Sequence, residues 1–161
     1  MLLVSTSSLS GYGLHKIFSL VKQSSYDGID LVVDPENYDT FDAKYIRLLS
    51  EYSGVKVWSI SAPERKMNKK QVDTILRLAE DLGVTLVNFH PPHRIDRDKE
   101  WFGEYLELMT KNHPEITISI VNAPPKTWLF IISEYGDARP ETIKKITGNT
   151  TLSINNVEPE S

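Results

Sequence analysis

Short β-branched and aliphatic runs alternate along this chain with amphipathic stretches of helical period. The runs predict strands at Leu2–Ser5, Ile29–Asp34, Val55–Ser61, Thr85–His90, Ile116–Asn122 and Thr151–Asn155. Their starts lie roughly 26 to 35 residues apart, the size of one βα unit. Within each run apolar residues are nearly continuous, as in Ile29-Asp30-Leu31-Val32-Val33, a pattern expected of strands covered on both faces of a parallel sheet. Between them, Leu14, Ile17, Phe18 and Val21 mark a first helix. Tyr45, Leu48, Leu49 and Tyr52, stopped by Gly54, mark a second. The third has one apolar stripe of Val72, Ile75, Leu76, Ala79 and Leu82, with Asn68 as N-cap and Gly83 as the left-handed terminator. Trp101, Phe102, Tyr105, Leu108 and Met109 mark a fourth, ending before Pro114. The stretch Thr127–Ile132 fits a helix or a buried loop, and Pro140 opens a short helix through Ile146.

No low-complexity linker interrupts this alternation, so residues 1–161 are expected to form a single domain. Six βα units suit an open doubly wound sheet or most of a (β/α)8 barrel. The turn after the first strand, Ser5-Thr6-Ser7-Ser8-Leu9-Ser10-Gly11-Tyr12-Gly13, matches neither the dinucleotide fingerprint nor a P-loop, which weighs against the open sheet. The expected fold is therefore α/β, an incomplete (β/α)8 TIM barrel of about six βα units with parallel strands.

Composition narrows the chemistry. The absence of cysteine among 161 residues excludes disulfides, thiolate metal sites and a cysteine nucleophile. With 18 Lys+Arg against 22 Asp+Glu the net charge is −4, which argues against a polyanion-wrapping protein. No apolar run reaches the ~18–20 residues of a membrane span, and the first residues lack the pattern of a signal peptide. A cytoplasmic protein is expected.

In parallel α/β folds the chemistry gathers at the carboxyl ends of strands. Here those ends carry Asp34-Pro35-Glu36, Ser61-Ala62-Pro63-Glu64, His90-Pro91-Pro92-His93, Asn122-Ala123-Pro124 and Asn155-Asn156-Val157-Glu158. His90 and His93 offer imidazoles for acid/base work or metal ligation, on a loop stiffened by prolines. Glu36, Glu64 and Glu158 offer a base or a ligand, while Asn122 and Asn155 offer hydrogen bonds to substrate hydroxyls. His15 and His113 read as surface residues. Arg65, Lys66, Lys69, Lys70, Arg94 and Arg97 read as solvated positions rather than a nucleic-acid groove, and Trp58, Trp101 and Trp128 as core or near-core residues.

The strand-end phrases resemble the xylose isomerase-like TIM barrel superfamily, which includes sugar-phosphate isomerases/epimerases and the AP endonuclease family 2 group. The similar phrases are Gly28-Ile29-Asp30-Leu31-Val32-Val33-Asp34-Pro35-Glu36, Ser59-Ile60-Ser61-Ala62-Pro63, Leu78-Ala79-Glu80-Asp81-Leu82-Gly83 followed by Val87-Asn88-Phe89-His90-Pro91, and Asn122-Ala123-Pro124. They occur in family order over nearly the whole chain. The resemblance implies a divalent metal such as Mg2+, Mn2+ or Zn2+, but Ser61 stands where the family often has His, Val121 where it has Glu, and Asn155 and Glu158 where it has Asp and His. Of those metal positions only His90 is kept, leaving His90 with Glu158 or Glu36 as donors for one cation. Strands seven and eight are missing, so the first and last strands present open edges through which a homo-oligomer could form.

The leading expectation is a sugar or sugar-phosphate isomerase/epimerase-like protein, degenerate in its metal site, that takes a small carbohydrate. Its catalytic residues are expected to be His90, Glu36 and Glu158, with Asn122, His93 and Asn155 contacting substrate and His90 as metal ligand. The alternatives are a non-catalytic binding or assembly module on the same framework, and an AP endonuclease-like hydrolase, against which the lost ligands and acidic balance argue.

Overall fold

A computed structural model describes residues 1–64, 67–92 and 101–121, together with strand backbone at 127–128, 132–133 and 150–151. Its main strands are β1 (Leu3–Ser5), β2 (Gly28–Val32), β3 (Val57–Ser61), β4 (Leu86–Phe89) and β5 (Thr117–Val121). A small pair of two-residue strands, β6 (Thr127–Trp128) and β7 (Ile132–Ser133), is antiparallel and separate from the main sheet, so the described ends of the stretch expected to be helix or buried loop are strand. Strand β8 (Thr150–Thr151) pairs with β5, beginning one residue before the expected sixth strand. The expected helix Pro140–Ile146 lies outside the described residues.

The main sheet is six-stranded in the order β1-β2-β3-β4-β5-β8, with every pairing parallel. From β1 to β5 each strand lies beside its neighbour in sequence, and β8 extends the same edge. A doubly wound sheet reverses direction at a switch point, and this one never does. Uniform winding with right-handed crossovers sends every connecting helix to the same face. This is the α/β architecture of a partial TIM barrel.

Four helices form that outer layer: α1 (Leu14–Lys22), α2 (Ala43–Ser53), α3 (Lys69–Leu82) and α4 (Trp101–Asn112). Helix α3 is bounded as its sequence dictates. Asn68 accepts from the Gln71 amide and Gln71 returns a bond to the Asn68 amide, while Gly83 closes the helix at φ +66°. Gly54 closes α2 in the same left-handed conformation. The apolar stripes of the helices join Ile29, Leu31, Ile60, Val87, Phe89, Ile118 and Ile120 in one buried core.

Two helix faces differ from expectation. Ile46 is the fully buried residue of α2, whereas Leu48 and Tyr52 are 55% and 89% exposed. Helix α2 packs against both α1 and α3, so Ile46 sets its inward face and the periodic match at Leu48 and Tyr52 falls outside it. On α4, which packs on β5, Leu106 is buried and Leu108 is exposed. Trp101 packs edge-on against Phe102 and Tyr105, beside the core as expected.

Helices α3 and α4 are tied by the Tyr105 hydroxyl, which donates to Asp73 Oδ1 at 2.6 Å. That bond, then partial desolvation, then the Asp73 charge hold the Tyr105 phenol above its ordinary pKa. The folded chain thus keeps the phenol neutral to higher pH than the unfolded chain does. The stability it contributes is complete below about pH 10 and disappears as pH rises through the folded-state value. Urea midpoints across the alkaline range are expected to fall more steeply for the parent chain than for Tyr105→Phe.

Candidate functional site

Alternation along the strands separates two faces of the sheet. Leu31, Ile60, Val87 and Ile118 align under the helices, and Phe89 pairs with Ile120 in the same layer. On the opposite face, the barrel interior, the same registers align Asp30 with Ser59, Ser61 with Asn88, and Asn88 with Ser119. The strands are buried on both faces, as expected, but the interior face is polar at Asp30, Ser59, Ser61, Asn88 and Ser119. Interior positions of β2 to β5 form a polar row that recurs at period two, hidden in sequence by the unbroken aliphatic character of the other face.

Hydrogen bonds run along this row. Ser59 Oγ donates to Asp30 Oδ1 at 2.6 Å, and Ser61 Oγ lies 2.9 and 3.1 Å from the two oxygens of the same carboxylate. Asn88 Nδ2 donates to Ser61 Oγ at 3.4 Å, and Ser119 Oγ donates to Asn88 Oδ1 at 2.8 Å. Ser59, Asn88 and Ser119 are buried, whereas Asp30 and Ser61 are half-buried. Asp30 is therefore a carboxylate fixed by charge-assisted bonds on its protein side and in reach of solvent on the other.

The row depends on a fault in strand pairing. Ile29 pairs with Val57 but Asp30 pairs with Ser59, leaving Trp58 as an extra residue. This bulge turns Ser59 and Ser61 onto the face of Asp30. Trp58 is pushed to the surface, 37% exposed, rather than into the core; its indole N–H donates to the Asp27 carbonyl at 3.1 Å and the Lys56 ammonium sits 3.9 Å from its ring centre. Gly28 makes room for the fault, because a Cβ there would collide with the Lys56 carbonyl and lie 2.6 Å from Trp58 Cδ1.

At the carboxyl end of β1 and β2 lies a cleft of about 350 Å³, whose lining includes none of the row residues. Its walls include Thr6, Ser7, Ser10 and Tyr12, together with Asp34, Asn37 and the apolar Leu14 and Ile17 of α1. Val32, the next interior position above Asp30 on β2, lines it as well. The rim is pinned from within. The Val32 amide donates to Thr6 Oγ1 at 2.9 Å, and buried Thr40 accepts from the Asp34 amide at 3.0 Å while donating to the Asn37 carbonyl at 2.7 Å.

His90 is half-buried directly after β4, on the parity of Asn88. Glu36 is exposed; its backbone amide donates to Asp34 Oδ1 at 2.9 Å, and Glu36 is not among the residues lining the cleft. His93, Asn122, Asn155 and Glu158 lie outside the described residues, as do Arg65, Lys66, Arg94, Arg97 and the Trp128 side chain. Lys69 and Lys70 are exposed, as expected of a solvated helix start.

Among the described residues the donor set does not fit a multi-ligand metal centre at this mouth. Ser61 spends its hydroxyl on Asp30, Val121 has no donor atom, and among the described residues no three His or acidic ligating atoms converge there. Asp30, Ser59, Asn88 and Ser119 are the interior residues that reading for strand ends passes over. Their signal is the spacing of polar residues by two inside apolar strands.

Comparison with solved structures gives the fold a relative. A xylose isomerase domain protein from Alicyclobacillus acidocaldarius superposes with a TM-score of 0.60 at 11% sequence identity, over 94% of this chain and 61% of that one. The chain has a xylose isomerase-like fold. The spore cortex-lytic enzyme SleL of Bacillus megaterium is also similar, with a TM-score of 0.48 at 14% identity over 94% of this chain and 40% of that one. The chain thus spans less than two thirds of the length of either solved protein. No family model matches the sequence, and no curated protein matches it. Among the described residues, no helix is long and apolar enough to cross a membrane.

Proposed function

We propose that this chain is a sugar isomerase/epimerase-like protein that takes a small polyhydroxylated ligand, a sugar or sugar phosphate, at the carboxyl-end mouth of its partial barrel. The observation that carries this reading is Asp30. A half-buried carboxylate already held by Ser59 and Ser61 is a pre-organised acceptor for ligand hydroxyls, and a cleft at the end of the same strand carries Thr6, Ser7, Ser10 and Tyr12 in its lining. In this reading His90 moves the proton on the carbon beside the ligand carbonyl, and Asp30 fixes the neighbouring hydroxyl. Glu36 and Glu158 are assigned as further carboxylates of the mouth, and His93, Asn122 and Asn155 as its substrate contacts. No step passes through a metal.

Val121 favours a second reading, a barrel that binds its ligand without turning it over, because the aliphatic side chain brings neither ligand nor base to the end of β5. Nuclear magnetic resonance in deuterated water separates the two. Saturation transfer to pentoses, hexoses and their phosphates is expected, together with deuterium incorporation next to the carbonyl that disappears in His90→Ala. Transfer without incorporation assigns the binding role. The absence of both, with and without added Mg2+, Mn2+, Co2+ or Zn2+, overturns the proposal.

A further inference from the structure

At the opposite end of the sheet, where β4 and β5 begin, three ligating side chains from separate segments meet. Glu80 lies in the last turn of α3, His113 directly follows α4, and Glu115 lies in the turn leading into β5. Their nearest ligating atoms all lie within 4.8 Å of one another. His113 Nδ1 is 2.7 Å from Glu80 Oε1 and 3.8 Å from Glu115 Oε1. The imidazole is not the plain surface group its sequence position suggests. Its side chain is only 21% exposed, and backbone bonds from the His113 amide to the Met109 carbonyl and from the Ile116 amide to the His113 carbonyl fix it.

We propose that Glu80, His113 and Glu115 form a binding site for a divalent transition metal, with Zn2+ as the representative ion. As a hydrogen-bonded pair, His113 and Glu80 leave the Glu115 carboxylate facing a nitrogen that has one proton to give, already directed at Glu80. Glu80 also lies at the end of α3, whose last turn carries no basic residue of its own and whose Asp81 carbonyl accepts from the Arg47 guanidinium. The two carboxylates on one imidazole nitrogen call for positive charge at one point between the three groups. A single imidazole with two carboxylates is a donor set suited to Zn2+, Co2+ or Ni2+. Ligands about 2.1 Å from a tetrahedral ion lie roughly 3.4 Å apart, a spacing bracketed by the present 2.7 and 3.8 Å from His113 Nδ1 to Glu80 and Glu115. The bound ion would clamp the end of α3 to the turn between α4 and β5. This site is distinct from the carboxyl-end mouth and does not depend on the function proposed for it.

Calorimetric titration of the whole chain with Zn2+ is expected to show one bound ion, a rise in Tm, and reversal by chelator. Affinity is expected to fall about tenfold or more in His113→Ala and in Glu115→Gln, and to stay unchanged in His90→Ala. Glu115→Gln leaves the His113–Glu80 bond in place, so its loss of binding is not a folding defect. With Co2+ in place of Zn2+, paramagnetic broadening should centre on Glu80 and residues 113–116. Absence of binding, affinity unchanged by both ligand variants, or broadening centred elsewhere overturns the proposal.

Discussion

Asp30→Ala is expected to lower the unfolding free energy by about 3 kcal/mol and to abolish ligand binding at the mouth. Ser59 and Ser61 direct their hydroxyls at this one carboxylate, and hydrogen bonds to a charged group each contribute about 1.5–3 kcal/mol. The loss is less than the full sum because Ser61 is half-buried and finds water, whereas Ser59 is only 3% exposed. Asp30→Asn, which keeps the shape and one accepting oxygen, should cost under about 1 kcal/mol while still weakening binding of a polyol. Urea unfolding at constant slope, run beside the saturation-transfer experiment, measures both effects. Equal midpoints for the parent and Asp30→Ala would show that the serine clamp contributes no net stability.

Gly28→Ala is the second large effect expected. The added methyl meets the Lys56 carbonyl and the edge of Trp58, and the carbonyl cannot move without breaking its 2.9 Å bond from the Ile29 amide. Overpacking at such a site costs about 1–3 kcal/mol, and the upper end is expected because the neighbour is backbone. Relief by removing the bulge would shift β3 by one residue and turn Ser59 and Ser61 away from Asp30. The variant should therefore lose ligand binding as well as stability, although Gly28 touches neither ligand nor cleft. Trp58→Ala in the Gly28→Ala background should recover part of the stability by removing the indole. Failure to recover any would place the whole penalty on the Lys56 carbonyl.

How much of this was legible in the sequence depends on which signal carried it. Helix α3 could be read nearly to the residue because stripe, cap and terminator agree over Asn68 to Gly83. The strands could be placed because their aliphatic runs recur once per βα unit, and the unbroken strand order then separates barrel from doubly wound sheet. Leu48 and Tyr52 misled because a periodic match ignores which side of α2 meets its neighbours. The polar row was masked because Asp30 sits between Ile29 and Leu31, where one charge looks like an exception rather than one tooth of a comb. Trp58 reads as core or near-core because it sits in an apolar run, whereas a bulge, invisible to composition, turns it outward. The 2.7 Å contact of His113 with Glu80 joins residues 33 positions apart, beyond the reach of any local pattern.

The unbroken strand order also bears on how the chain acquires its shape. Each of β2 to β5 pairs with the strand made a single βα unit earlier, so none of them waits for a distant partner before it can dock. A ribosome delivering this chain would present each new strand to an edge already laid down, and assembly can follow synthesis from the amino end. The Asp30 carboxylate would emerge before Ser59 and Ser61 and gain its clamp only when β3 arrives, which makes the third strand the step at which the mouth takes form.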